Sequence, residues 1–390
     1  MDIVDKIIDM FSNDKSSDNK PQKSEELDQS IKRKAALKWD EYEKTKVRLA
    51  LIGQPGAGKS SIINSLLGTK LFPVGVYTDT TVKAQEKEFG GLIITDLPGY
   101  GTARFPLEVW LEEFQPEQYD MYLFVFDGKL HEADSQLFRY LEKWQQERQH
   151  PFFLVRNKED QIWDDEKTLE HLKEEIQADV RSLLNDEDTP IFFTSCRHQT
   201  GIEALKRAIY KMDFDDVKKS KIVASFKATC LEDLERKRVI CRNNLDMYAY
   251  AAAANGLNPL PGVDISVDLG VFYSMLKDIR ETFGITDEQK IKRYEILGPT
   301  AKKLIDEVCQ YMVENYANKL LIELAKAFGK RFTEKQFAKL IPLVGNVASA
   351  LLGAAMTKKV GEKYIDDCFE LSKMLMEHSI EKRHLNIITE

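Results

Sequence analysis

The chain has 390 residues, room for about two or three domains, and its 43% hydrophobic and 31% charged residues exclude wholesale disorder. A formal net charge of −8 argues against a general nucleic-acid binder, because phosphate neutralisation rewards a basic surface. The five cysteines (Cys196, Cys230, Cys241, Cys309, Cys368) form no C-x-x-C pair and the six histidines no cluster; neither zinc nor a redox motif is indicated, and a reducing, cytoplasmic setting is expected.

The N-terminal MDIVDKIIDMF places Ile3, Val4, Ile7, Ile8 and Phe11 on one helical face. It lacks the basic start of a signal peptide, and Asp2 excludes N-myristoylation; the end NIITE is no prenylation box. Its polar face carries Asp2, Asp5 and Asp9 against Lys6, which suits docking onto other helices better than an anionic membrane. SNDKSSDNKPQKSEELDQ then reads as a solvated linker, and residues from about 29 to 45 as a charged helix.

From Val47 the texture changes. VRLALIG, GLIITDLPG, MYLFVFDG, PFFLVRNK and PIFFTSC read as strands with helical stretches between them. This rhythm predicts an α/β domain with a mostly parallel sheet over 46–212. DFDDVKKS reads as a polar hinge, and 213–390 as all-α. Within the latter, PLPGVDISVDLG (Pro259–Gly270) and PLVGNVASALLG (Pro342–Gly353) share P-L-x-G-x-x-x-S-x-x-L-G. They are expected to form a pseudo-repeated helical hairpin in a core, with Asp264 as a cap near Gly262. No run reaches the roughly 18 apolar residues of a membrane span.

GQPGAGKSS, directly after the first strand, fits the phosphate-loop pattern G-x-x-x-x-G-K-[ST]. Gly53, Gly56 and Gly58 let backbone N–H groups curl around phosphates, and the N-terminus of the following helix, with Ser61, faces the same anion. Lys59 would reach the β- and γ-phosphates, and the Ser60 hydroxyl would ligate Mg²⁺. In TDLPG, Asp96 would stand behind the metal and the Gly99 N–H would meet the γ-phosphate. Between these lies VYTDTTV, where Thr80 or Thr81, with Thr81 preferred, would ligate Mg²⁺ and sense the γ-phosphate. In VRNKEDQ, Asn157, Lys158 and Asp160 make N-K-x-D: the carboxylate can accept both N1–H and N2–H of guanine, a pair of donors that adenine lacks. Lys158 would lie across the base and Asn157 would tie this loop to the phosphate loop. In TSC, Ser195 and Cys196 offer backbone N–H groups to the guanine carbonyl.

The order GQPGAGKSS, DTT, DLPG, NKED, TSC resembles that of Ras-like GTPase domains. DLPGYGTARFPLEVWLEEF is similar to the switch segment of the immunity-related (interferon-inducible) GTPases, FFLVRNKED to that family's F-V-R-T-K-x-D, and LPLPGVDISVDLGVFYSMLKDIRETFGI to its helical-domain segment. The resemblance runs from about residue 30 onward. It implies a Ras-like P-loop GTPase domain on an all-α domain built from both chain ends, residues 1–45 joining the latter. It also implies GTP and GDP as ligands, Mg²⁺, GTP-driven homodimers or larger assemblies, and peripheral contact with membranes in defence. Asp79 stands where the family usually has a glutamate. It is either a turn-forming aspartate or, with Lys59 and Thr81, part of the catalytic set. A nucleotide-gated scaffold with little turnover is the alternative, because Tyr100 follows D-x-x-G where many such enzymes place a water-orienting glutamine.

Overall fold

The computed structural model describes residue 37 and residues 41–74, 84–101, 105–148, 151–255, 265–312 and 347–389. The chain divides into a unit spanning Thr45–Thr229 and a unit of Met1–Lys44 with Cys230–Glu390.

The first unit holds one sheet: β1 (Val47–Gly53), β2 (Gln85–Phe89), β3 (Leu92–Asp96), β4 (Met121–Phe126), β5 (Phe152–Arg156) and β6 (Ile191–Phe193). Its order is β2-β3-β1-β4-β5-β6, parallel throughout except for β2 against β3. The central strands are mainly apolar, Arg48 of β1 being the charged exception before the strand ends, because both faces are covered, as parallel sheets require. Alternate side chains feed two cores. On one face Leu49, Leu51, Leu123, Val125 and Phe153 pack with α1 (Lys59–Leu67) and α5 (Ile202–Tyr210) through Ile62, Leu66, Leu205 and Ile209. On the other, Ile52, Tyr122, Phe124 and Leu154 meet Trp110, Phe138 and Leu184. These come from α2 (Leu107–Phe114), α3 (Glu132–Arg148) and α4 (Leu169–Leu184). Each such fully buried side chain contributes about 1.5–3 kcal/mol. The order reverses at β1, which lies between β3 and β4, and the loops leaving the carboxyl ends there flank the crevice where ligands bind in open α/β sheets.

The strand β2 has no counterpart among the expected ones. QEKEF carries no apolar run; it pairs through its backbone as an edge strand, turned onto β3 by Gly90 and Gly91, with Glu86 and Glu88 exposed and Lys87 half-buried, donating to Leu71 O at 2.5 Å. The expected border at residue 212 is also displaced. DFDDVKKS is no free hinge: Asp215 caps α6 (Asp216–Ser225) by accepting from the Lys218 N–H at 2.8 Å. Ile222 and Phe226 then enter the sheet's core, so the first unit runs on to Thr229.

The second unit is helical: α7 (Leu231–Asn255), α8 (Ile265–Thr282), α9 (Glu288–Lys292), α10 (Pro299–Cys309) and α11 (Val347–Thr389). Leu234, Leu245, Met275, Ile279, Ile305, Ile365 and Leu371 are buried in it. α7 and α11 run against each other, Arg238 reaching Asp366 at 2.8 Å. At Gly361 an added Cβ would stand 2.3 Å from a Leu245 methyl, so the glycine sets how closely the helices approach. The opening parts of the paired P-L-x-G stretches, with the expected Asp264 cap, and the N-terminal helix and linker lie outside the described residues, while the later parts of the paired stretches begin α8 and α11. Among the described residues no helix is long and apolar enough to cross a membrane.

Candidate functional site

β1 ends in the phosphate-loop sequence, and its glycines are required by geometry. Gly53 has φ +136°, and a Cβ there would stand 1.9 Å from Val125 O on β4. Gly58, at φ +91°, begins α1 in a left-handed conformation with no side-chain cap, leaving the first N–H groups of the helix open. Lys59 is buried, with Nζ donating to Gly53 O at 3.1 Å and Gln54 O at 3.2 Å. Burial pushes its pKa below the ordinary lysine value, partly offset by the charges of Asp96 and Asp127. A buried cation folded back onto loop carbonyls is placed to exchange those weak neutral acceptors for phosphate oxygens.

Asp96, the last residue of β3, receives the Ser60 hydroxyl on Oδ2 at 2.5 Å. Its Oδ1 is buried with no hydrogen-bond partner. Burial pushes its carboxyl up, against the pull of Lys59 and Ser60. A hydroxyl beside a carboxylate with an unmatched buried oxygen is a donor set that fits a hard, oxygen-seeking cation such as Mg²⁺. Gly99 lies so close to the phosphate loop that a Cβ would meet Pro55 Cγ at 2.6 Å. The Trp110 indole fixes this segment by donating to Pro98 O at 2.9 Å.

The N-K-x-D loop leaves β5 two strands away. Asn157 Nδ2 donates to Ala57 O at 2.8 Å, and its Oδ1 accepts from Thr194 Oγ1 at 3.2 Å. The expected tie between this loop and the phosphate loop is therefore present, and it adds a reason for Gly58, whose Cβ would meet Asn157 Nδ2 at 2.3 Å. Asp160 is exposed and accepts from Ser195 Oγ at 2.6 Å, a bond that holds its pKa below the ordinary carboxylate value. Ser195 Oγ in turn accepts from the His198 N–H at 3.2 Å. Cys196 is half-buried next to Asn157, and burial pushes its thiol up.

Sequence reasoning missed the supports of this loop. Lys158 pairs with Asp127 at the end of β4. Glu159 is clamped by Lys173 at 2.5 Å and by Thr200 Oγ1 at 2.7 Å, which joins the loop to α4 and to the TSC turn. Asp127 was legible as the residue after MYLFVF; Glu159, Lys173 and Thr200 meet only through the fold.

Asp79, Thr80 and Thr81 lie outside the described residues. Tyr100 is buried, its ring edge-on to Trp110 at 5.5 Å between centroids and its hydroxyl donating to Asp134 Oδ1 at 2.5 Å. Burial, and then the Asp134 charge, push the phenol well above the ordinary 10.0, so it stays a donor and cannot act as a base near neutral pH.

Comparison with known proteins adds to this geometry. Interferon-gamma-inducible GTPase 10 of Mus musculus is 26% identical over 266 residues, covering 64% of this chain and 63% of that protein. Interferon-inducible GTPase 1 of Mus musculus is 24% identical over 275 residues, covering 65% and 64%. The chain thus spans less than two thirds of the length of these relatives. The crystal structure of a probable GTP-binding protein engB covers 43% of this chain and 98% of its own at 21% identity, with a TM-score of 0.33. The model of the family described as Interferon-inducible GTPase (IIGP) matches residues 23–330, a span that takes in the phosphate loop, D-x-x-G, N-K-x-D and the first helices of the second unit. By that match, which joins both units in one pattern, the chain belongs to the interferon-inducible GTPase family.

Proposed function

We propose that this chain binds GTP and hydrolyses it to GDP and phosphate, and that its GTP-bound form associates with itself. The observation that carries the reading is the 2.8 Å bond from Asn157 to Ala57 O, which holds a guanine-reading loop and a phosphate-reading loop in fixed relation. In this reading Gly53, Gly56, Gly58, Ser61 and Gly99 offer N–H groups or room to the phosphates, and Lys59 neutralises them. Asp160 reads the base edge, Lys158 covers its face, and Ser195 and Cys196 frame its carbonyl. Ser60, Asp96 and, from the first switch, Thr81 would hold Mg²⁺, which when bound neutralises phosphate charge. Titration of the full chain with fluorescent GTP and ATP analogues, followed by phosphate release, tests this. GTP should bind more than about a hundredfold tighter than ATP, since an unmatched carboxylate rejects the wrong base. Equal affinities would overturn the reading.

Self-association is supported by family membership and by Trp163, which is 78% exposed just beyond Asp160 and offers an apolar anchor beside the nucleotide. Sedimentation is expected to show larger species with a non-hydrolysable GTP analogue than with GDP; identical profiles would leave a simple binary switch. Asp79 would complete the site when a second copy faces it. Turnover per molecule should then rise with protein concentration, and Asp79→Ala should flatten that rise while GTP binding persists. Constant turnover from nanomolar to tens of micromolar would remove dimer-dependent catalysis. Family membership also supports action at membranes in defence.

A second reading, a nucleotide-gated scaffold with little turnover, is favoured by the burial of Tyr100, which leaves no side chain directly after D-x-x-G free to orient water. Single-turnover phosphate release slower than nucleotide exchange would select it.

A further inference from the structure

Three donors converge on the carboxylate of Asp134 in the first turn of α3. Tyr100 Oη donates to Oδ1 at 2.5 Å; Gln54 Nε2 and the His131 N–H donate to Oδ2 at 2.8 Å and 2.6 Å. The residue is 2% exposed. A buried carboxylate is costly unless its oxygens are matched, and here the matching groups come from separate segments of the chain.

Each arm leads to a part of the candidate site. Gln54 belongs to the phosphate loop: its own carbonyl accepts from Lys59 Nζ at 3.2 Å, and its side chain also donates to Lys129 O at 2.9 Å. Tyr100 directly follows Gly99, and its ring lies against Trp110, the residue that holds Pro98 O. His131 belongs to the turn entering α3, a helix packed on the sheet through Leu137 and Phe138. One carboxylate therefore links the loop that carries Lys59, the segment that carries Gly99, and the body of the domain. An apolar residue could fill the same volume and hold the ring; only an acceptor can hold all three donors at once.

We propose that Asp134 is a positioning residue for the nucleotide-sensing segment: through Tyr100 and Gln54 it holds Gly99 in register with the phosphate loop, so that the Gly99 N–H discriminates a triphosphate from a diphosphate. This rests on the reading of the site as one for GTP. It gives Tyr100 a task different from that of the glutamine usual at its position. The tyrosine anchors the segment from behind and touches neither water nor phosphate.

The test uses the full chain with Asp134→Asn and Tyr100→Phe. The second variant keeps the ring among Trp110 and Phe124 and removes only the hydroxyl. Affinities for GDP and for a non-hydrolysable GTP analogue, single-turnover hydrolysis and thermal midpoints are measured. Both variants should bind GDP within about twofold of wild type. Tyr100→Phe should lose about tenfold in preference for the triphosphate and in single-turnover rate, the effect of one hydrogen bond to a charged group, and Asp134→Asn, whose amide can still meet all three partners without the charge, should lose less. A merely structural role would lower the midpoint and weaken both nucleotides alike, and that outcome overturns the proposal. So does an unchanged triphosphate preference in Tyr100→Phe. If Asp134→Asn does not fold, Tyr100→Phe carries the test. A wild-type chain that binds no guanine nucleotide overturns instead the reading of the site on which the proposal rests.

Discussion

Lys59→Met is expected to remove triphosphate binding and to leave the protein folded. Two effects on the free protein oppose each other. Gly53 O and Gln54 O lose the donor that now satisfies them at 3.1 Å and 3.2 Å. Against this, the burial that pushes Lys59 below the ordinary lysine value means that the charge itself costs stability near neutral pH, and methionine lifts that cost while keeping an unbranched stem. Nothing opposes the loss in the complex. Each charge-assisted bond to a phosphate oxygen contributes about 1.5–3 kcal/mol, so two of them give a loss of at least about a hundredfold in affinity. Calorimetric titration should show no measurable GTP binding, and the thermal midpoint without nucleotide should stay near that of wild type. Wild-type affinity would place the triphosphate away from this loop.

The sheet was legible wherever strands are buried on both faces. VRLALIG and MYLFVF read as strands because a parallel sheet covered by helices leaves little room for polar side chains, Arg48 being the one charge in the two runs. QEKEF was not legible, since an edge strand is held by backbone bonds to β3 and its alternating charges resemble any solvated loop. The misplaced border has a similar cause. Asp213, Asp215 and Asp216 look like a hinge in sequence, but Asp215 is the cap that starts α6, and the apolar residues that bury this segment, Ile222 and Phe226, come seven and eleven positions later.

In the candidate site, spacing picked out the residues proposed to meet nucleotide and could not predict what supports them. Asn157 lies against Ala57 as the motif order required, because both ends of a bound nucleotide must be held by adjacent loops. The Glu159–Lys173 pair and the Tyr100–Asp134 bond join residues distant in sequence, with no motif to announce them. In the sequence Tyr100 stood out only as a departure from the usual glutamine; its burial and its bond to Asp134 come from the fold.

Asp160→Asn should change the preferred nucleotide from GTP to xanthosine triphosphate. Asp160 is held by Ser195 Oγ at 2.6 Å on one oxygen and is otherwise exposed, so it is aimed by the TSC turn and free to meet a base edge. As a carboxylate it accepts from both N1–H and N2–H of guanine. The asparagine amide keeps one acceptor and turns the other into a donor, which opposes the N2–H of guanine and matches the C2 carbonyl of xanthine. The loop itself should survive the change: Ser195 Oγ can donate to the amide oxygen as it did to the carboxylate and still accept from the His198 N–H. The mutation therefore acts on recognition more than on stability. Losing one matched donor and gaining one mismatch is worth more than 1.4 kcal/mol, so the GTP affinity should fall by more than about tenfold while that for xanthosine triphosphate rises. Because Asp160 titrates below the ordinary carboxylate value, it stays ionised through mildly acid solution, and the wild-type preference for GTP should hold from about pH 5 to 8. Competition binding with both nucleotides reads each of these outcomes. If Asp160→Asn still prefers GTP by tenfold, the carboxylate does not read the base, and the N-K-x-D loop serves only to brace the phosphate loop through Asn157.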